Sequence, residues 1–326
     1  MEPMEDRSYY DGAGNYDRET VLFFDVAHEG AQLRAVAEAA QQLDSLRAIA
    51  PRSMVVIATD QIARAAAQAA VDLRSPLALP VVVTPALPSY VGPLDIVVIV
   101  GDAADDEAAS RALLTASARG AETILAGPAH GPLIDDAPDA TLVIPALPTT
   151  AGSSPLRAFG VLTAVLDALE QPVELIATRL QAMAGDVDDE LVALSPQRDE
   201  AVNAARQLRA HAAGSRVIHT GFERCGHAVA SVAAQVWSAR SMASGYVDHR
   251  ELDRAVEQPA RDIFHDPFID GEQHRVALKV VVWNQADVAL ADATAQWCEP
   301  SSVGEESTVA RLIVRALAAT AMDEPA

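Results

Sequence analysis

Few of the 326 residues combine reactive side chains with a spacing that points to one chemistry. Cys225 falls near a predicted helix start, where a thiol pKa can drop, but no base accompanies it in sequence. Cys298 is the only other cysteine; two are too few for a disulfide framework and are not spaced as a metal knuckle, which points to a reducing compartment. His211, His219 and His227 are spaced by eight residues yet span a predicted helix, a strand and a loop, so no shared metal is expected. Lys279, the only lysine, lies in a predicted strand beside Val280 and Val281 and is expected to face away from the core. Ser153 and Ser154 lack the G-x-S-x-G setting of a nucleophile. His265, between Phe264 and Asp266 on an irregular connection before a strand, can reach a neighbouring domain or subunit. No metal and no cofactor is expected.

The carboxylates read first as structural. Asp105, Asp106 and Glu107 suit a helix N-terminus, and Thr59 or Asp60 suits the cap of the helix that follows. Asp186, Asp188, Asp189 and Glu190 read as a solvated linker face. The chain as a whole carries 46 Asp plus Glu against 24 Lys plus Arg, a net charge of −22, with 4% aromatic residues. Such a surface repels phosphates and offers almost no rings to stack on bases, which argues against a nucleic-acid partner. Half of the residues are apolar, which excludes disorder as the source of the charge. Met1 to Tyr16 has neither the basic segment nor the apolar run of an export signal, and no apolar run is long enough for a membrane span. A soluble cytoplasmic protein of two domains is expected, since the length exceeds what one core usually supports.

The elements that would position these residues alternate. After a polar arm over residues 1–19, helical spacing runs from Val26 through Leu33, Val36, Leu43 and Leu46. Strands are predicted at 53–58, 80–84, 94–100, 121–126 and 140–144, with helices at 61–73, about 105–119 and 156–169. Continuous apolar strands alternating with helices predict a parallel sheet covered on both faces. A helix near 173–184 and the acidic stretch form a linker over 171–199. The order then repeats over 200–326: a helix at 200–212, strand 215–220, a long helix at 224–243, strand 275–283 and a terminal helix at 303–322. The fold expected is α/β, two αβα sandwiches of flavodoxin type with parallel sheets over 20–170 and 200–326, the second smaller.

The stretch Leu79 to Ile144 resembles the sugar isomerase (SIS) domain of bifunctional glucose-6-phosphate/mannose-6-phosphate isomerases, through LPVVVTPALPSYVGPLDIVVIV, an acidic helix start and ARGAETILAG. Pro88, Tyr90 and Gly92 stand where that family has a proline, tyrosine and glycine in a turn. The segment Pro155 to Gly160 resembles the family's PRAALG-type segment. Asn203 to Leu208 with the strand after it resembles the entry to a second SIS domain, and Asp262 to Asp266 resembles its ELNHNE segment. The resemblance is closest to degenerate actinobacterial, TobH-like members. It implies two SIS-like domains, a homodimer, and a sugar phosphate or other carbohydrate derivative as ligand.

Aldose–ketose isomerisation needs a base at C1 and C2, a ring-opening group and phosphate anchors at a helix N-terminus. By resemblance, His265 is the ring-opening histidine, Arg157 the substrate-facing arginine, and Glu251, 14 residues before His265, the replacement for the family's glutamate. A salt bridge to a surface acid and an ordinary surface glutamate are the alternative readings of Arg157 and Glu251. The chain departs from the family elsewhere. Asp102 and Asp105 stand at hydroxyl positions of the SYSGNTEET phosphate loop, the GMGGSAI loop reads Ala58 to Ala63 with no glycine, and Ala243 stands near the family glutamate. The expectation is therefore an isomerase-family protein with impaired or lost catalysis. A non-catalytic protein that binds a carbohydrate derivative or regulates a partner of sugar metabolism is the alternative.

Overall fold

The computed structural model describes residues 17–150, 152–257 and 276–324. Strands β1 (Ser53–Ala58) and β3 (Asp95–Val100) are buried at every position, as expected of runs such as SMVVIA and DIVVIV that have apolar side chains on both faces. With β2 (Val81–Thr84), β4 (Glu122–Ala126) and β5 (Leu142–Val143) they form a five-stranded parallel sheet in the order β2-β1-β3-β4-β5. Alternate residues serve two cores. Met54, Val56, Ile96 and Val98 face one, while Val55, Ile57, Val97 and Ile99 face the other.

Helices α1 (Arg18–Ala27) and α2 (Glu29–Ala39) precede this sheet. The alanine-rich α3 (Gln61–Arg74) joins β1 to β2 and packs on the first face, α4 (Glu107–Ala118) covers the second, and the short α5 is Pro132–Asp135. Helix α6 (Pro155–Ala168) is buried along its whole length and α7 spans Val173–Ala193. The second unit comprises α8 (Ala204–Ala212), β6 (Ser215–Gly221), α9 (Glu223–Ala239), β7 (Ser244–Tyr246), α10 (Leu252–Val256), β8 (Ala277–Trp283), β9 (Ala293–Gln296) and α11 (Glu305–Ala319). Its four strands are also parallel, in the order β7-β6-β8-β9. One core runs through both units: Val217, Val281 and Trp283 of the second sheet belong to the same cluster as Met54 and Val56 of the first.

The packing of α3 on α9 sets the relative direction of the two sheets. The Gln61 side chain at the start of α3 donates to the Gln235 carbonyl near the end of α9 (3.0 Å), and Arg224 at the start of α9 donates to the Leu73 carbonyl near the end of α3 (3.3 Å). The two helices are therefore antiparallel. Because each follows the first strand of its sheet, the carboxyl edges of the two sheets open at opposite ends of this helix pair.

The acidic stretch read as a solvated linker face is instead part of α7, which runs to Ala193. Met183, Ala184, Val187 and Leu191 on that helix are buried, Glu190 is 6% exposed and pairs with Arg315 at 2.6 Å, and Asp186 accepts the Ser307 hydroxyl at 2.5 Å. Periodicity could not show that α2 and α11 pack against those turns. Helix α1 also starts earlier than the expected onset at Val26, with Asp17 accepting the Thr20 N–H at its N-terminus. Strands β7 and β9 have no counterpart in the expected order; SGY and ATAQ lack the branched apolar run that marks the central strands.

Candidate functional site

In an open parallel sheet, ligands bind beyond the carboxyl ends of the strands where the strand order reverses. Here the chain leaves β1 for β2 on one side and returns to β3 on the other, so that point lies between β1 and β3. The loops there are Thr59-Asp60 and Gly101-Asp102. Three helix N-termini, those of α3, α4 and α6, lie in these loops or bond to them, and such termini are ready anion sites because their first N–H groups have no partner within the helix.

Each of the three is met by carboxylates of the chain itself. The Asp60 Oδ1 accepts the Ala63 N–H at 2.9 Å, while its Oδ2 accepts the N–H of Asp102 at 3.1 Å. Asp106 Oδ1 accepts the N–H groups of Ala108 and Ala109 at 2.9 and 3.0 Å. At α6, the Ser154 N–H donates to Asp102 Oδ2 at 3.1 Å, the Leu156 N–H to Glu29 Oε2 at 2.9 Å and the Arg157 N–H to the Ser154 hydroxyl at 3.1 Å. The Thr59 hydroxyl accepts the Ala103 N–H at 3.3 Å.

Arg157 is buried in this network, 1% exposed. Its guanidinium pairs with Asp102 and donates to the carbonyls of Gly127 at 2.9 Å and Gly101 at 3.3 Å. It thus takes the salt-bridge alternative, although the acid is an inward-facing one. Gly101 has φ +136°, a conformation closed to side chains, and a Cβ there would stand 2.2 Å from the Thr59 hydroxyl oxygen. That close approach lets Asp102 reach back over β1.

Burial pushes Glu29 up to about 7, against hydrogen bonds from Ser154 and Leu156 that favour its charge. Burial also raises Asp102, with the Arg157 charge and the Ser154 N–H opposing. Glu29, Gln32, Thr150, Ser153 and Arg240 line a narrow cleft with room for little more than one water, about 10 Å³. Sequence reasoning missed Glu29. Its partner Leu156 lies 127 residues away, and no local pattern announces such a contact.

Glu251 is elsewhere. It closes a short 3-10 turn (His249–Glu251) that follows β7, is exposed, and thus belongs to the carboxyl edge of the second sheet. The two edges lie at opposite ends of the α3/α9 pair, and α3 alone is 14 residues, about 21 Å, long at ~1.5 Å of rise per residue. Within one chain the structure does not bring Arg157 and Glu251 together. His265 lies outside the described residues. His211 bonds the Val280 carbonyl, His219 is buried between Trp237 and Trp283, and His227 lies in the first turns of α9, so these three share no centre. Burial, with Glu305 nearby, pushes the Cys225 thiol up to about 12, which leaves it unreactive at neutral pH.

Two αβα sandwiches with parallel sheets and this strand order define the class of fold, the double sandwich expected of SIS-like chains. Among solved structures, the C-terminal domain of glucosamine-fructose-6-phosphate aminotransferase from Francisella tularensis matches with a TM-score of 0.63 at 10% identity, covering 92% of this chain and 96% of that one. The tagatose-6-phosphate ketose/aldose isomerase from Escherichia coli matches with a TM-score of 0.58 at 12% identity, covering 91% of each chain. No family model matches the sequence, and no curated protein matches it. At these identities the likeness is one of fold. Among the described residues no helix is long and apolar enough to cross a membrane.

Proposed function

We propose that this chain is a carbohydrate-derivative-binding protein of the SIS isomerase fold that has lost the aldose–ketose isomerisation of hexose phosphates. The observation that carries this reading is the occupation of the switch-point N–H donors by Asp60, Asp102, Asp106 and Glu29. A phosphate dianion entering there would meet carboxylates rather than free donors, and two like charges at about 4 Å repel by about 4 kcal/mol at an effective dielectric near 20. Arg157, the residue that would face the substrate, already has its charge neutralised by Asp102. The one replacement base proposed for the chemistry, Glu251, lies in a turn beyond the carboxyl edge of the other sheet. A cytoplasmic homodimer is the setting in which we place this binding role.

Calorimetric titration and thermal-shift measurements with free hexoses, hexose phosphates and nucleotide sugars test the reading. Saturable binding of at least one of them to the full chain is expected, with hexose phosphates no better than their unphosphorylated sugars. Binding that requires the phosphate, or no binding across the whole panel, overturns it.

A further inference from the structure

The carboxyl edge of the second sheet holds a different cluster. His227 projects from α9, while Asp248 and His249 follow β7 directly. His227 Nε2 and His249 Nδ1 are 3.2 Å apart, His249 Nδ1 and Asp248 Oδ1 are 3.5 Å apart, and all three ligand atoms lie within 4.8 Å of one another. Two ring nitrogens at that separation either share a proton or share a cation. Bonds of ~2.0–2.2 Å in a tetrahedral zinc centre set neighbouring ligand atoms about 3.3–3.6 Å apart. The His249–Asp248 edge has that length and the His227–His249 edge is about 0.1 Å short of it. The third, between His227 and Asp248, lies within 4.8 Å, short enough for a small side-chain shift to close it.

The surroundings are those of ligands held in place. The His227 Nδ1 is 2.9 Å from the Tyr246 hydroxyl; donation of Nδ1–H there leaves Nε2 with its lone pair aimed at the cluster. The Phe222 ring packs on His249 with centroids 4.9 Å apart. Arg250 donates to both oxygens of Asp248, its Nε at 3.0 Å to the Oδ1 nearest His249 and its Nη2 at 2.8 Å to Oδ2, so a bound ion shares this carboxylate with the guanidinium. These elements converge at the carboxyl edge of the second sheet, on its β6/β7 side.

We propose that His227, Asp248 and His249 bind a divalent transition-metal cation of the zinc class, with the fourth coordination position open to solvent. Two imidazoles and one carboxylate suit zinc over magnesium or calcium, which take oxygen donors. The site is independent of the network around Arg157 and does not rest on the binding role proposed above. Tyr246 is a positioning residue that orients His227 through its other nitrogen.

The test uses the untagged full chain, dialysed against a chelator and titrated with Zn²⁺ by calorimetry and with Co²⁺ by visible absorption. One equivalent of each ion is expected to bind, with the intense absorption of tetrahedral cobalt. His227→Ala and His249→Ala are expected to abolish that band, and Tyr246→Phe to weaken binding about 10–100-fold, the usual effect of losing such a partner. Protection of His227 and His249 from diethyl pyrocarbonate by Zn²⁺, read by mass spectrometry on the unsubstituted chain, tests the site with no variant that must fold. Absence of a saturable equivalent, binding that survives both histidine substitutions, or modification of the two histidines that Zn²⁺ leaves unchanged overturns the proposal.

Discussion

Asp60 and Asp102 meet across the strand reversal of the first sheet, the carboxylate of one accepting the backbone N–H of the other at 3.1 Å. The contact closes the space between the β1 and β3 loops and directs the Asp102 carboxylate away from it, toward Ser154 and Arg157. An edge that could receive an anion is thereby held shut by the chain's own acids. The helix N-terminal N–H groups there bond the chain's own carboxylates.

Removal of Arg157 leaves Asp102 buried without its countercharge. Arg157→Met is expected to cost about 3–5 kcal/mol in urea unfolding, the usual effect of breaking one side of a buried pair. The double variant with Asp102→Leu is expected to lose less than the single one, because the orphaned charge goes with it. A double-variant loss equal to the sum of the two single losses would show that the pair is not coupled.

Gly101 is the backbone point that makes the Asp60–Asp102 contact possible. Gly101→Ala is expected to destabilise the chain by about 1–3 kcal/mol from backbone conformation alone, with the clash against the Thr59 hydroxyl adding to it. Gly92, where an added Cβ would meet nothing within 4 Å and φ is not unusual, serves as the control; Gly92→Ala is expected to change the unfolding midpoint little.

Glu29 gives the fold a pH dependence with a definite sign. Its pKa is raised on folding from 4.5 to about 7, so the stability that the protonated acid confers is full below pH 4.5 and is lost as pH rises through about 7. Glu29→Gln keeps an acceptor for the Leu156 N–H and removes the charge. It is expected to stabilise the chain at pH 8 by on the order of 3 kcal/mol, from ~1.4 kcal/mol per pKa unit, and to have little effect near pH 4.5. His219 works in the other direction. Burial holds it down to about 3 from 6.5, so its neutral form confers stability that is lost as pH falls from 6.5 toward 3. Urea unfolding across pH 4 to 8, with and without Glu29→Gln, separates the two slopes.

The central strands were legible because their apolar runs are continuous, and the helices because their apolar residues recur at three and four positions; SMVVIA and the Gln61–Arg74 helix illustrate both. The caps were legible too, since Asp60 and Asp106 stand next to the turns they serve. What the sequence concealed is tertiary. Asp186 and Glu190 look like linker acids until α11 and the Ser301–Ser307 turn pack on them. Glu29 looks like a surface acid until α6 presents its N-terminus. His227 and His249, 22 residues apart, become neighbours only through the pairing of β7 with β6, and β7 itself has too few branched residues to announce a strand.

If the self-satisfied edge of the first sheet no longer supports isomerisation, the loss must show in turnover itself. The measurement is a coupled assay of glucose-6-phosphate and mannose-6-phosphate conversion to fructose-6-phosphate at high protein concentration. We predict a rate equal to the protein-free blank for both sugars. Turnover that scales with protein concentration and disappears in a folded Arg157→Met variant would contradict it.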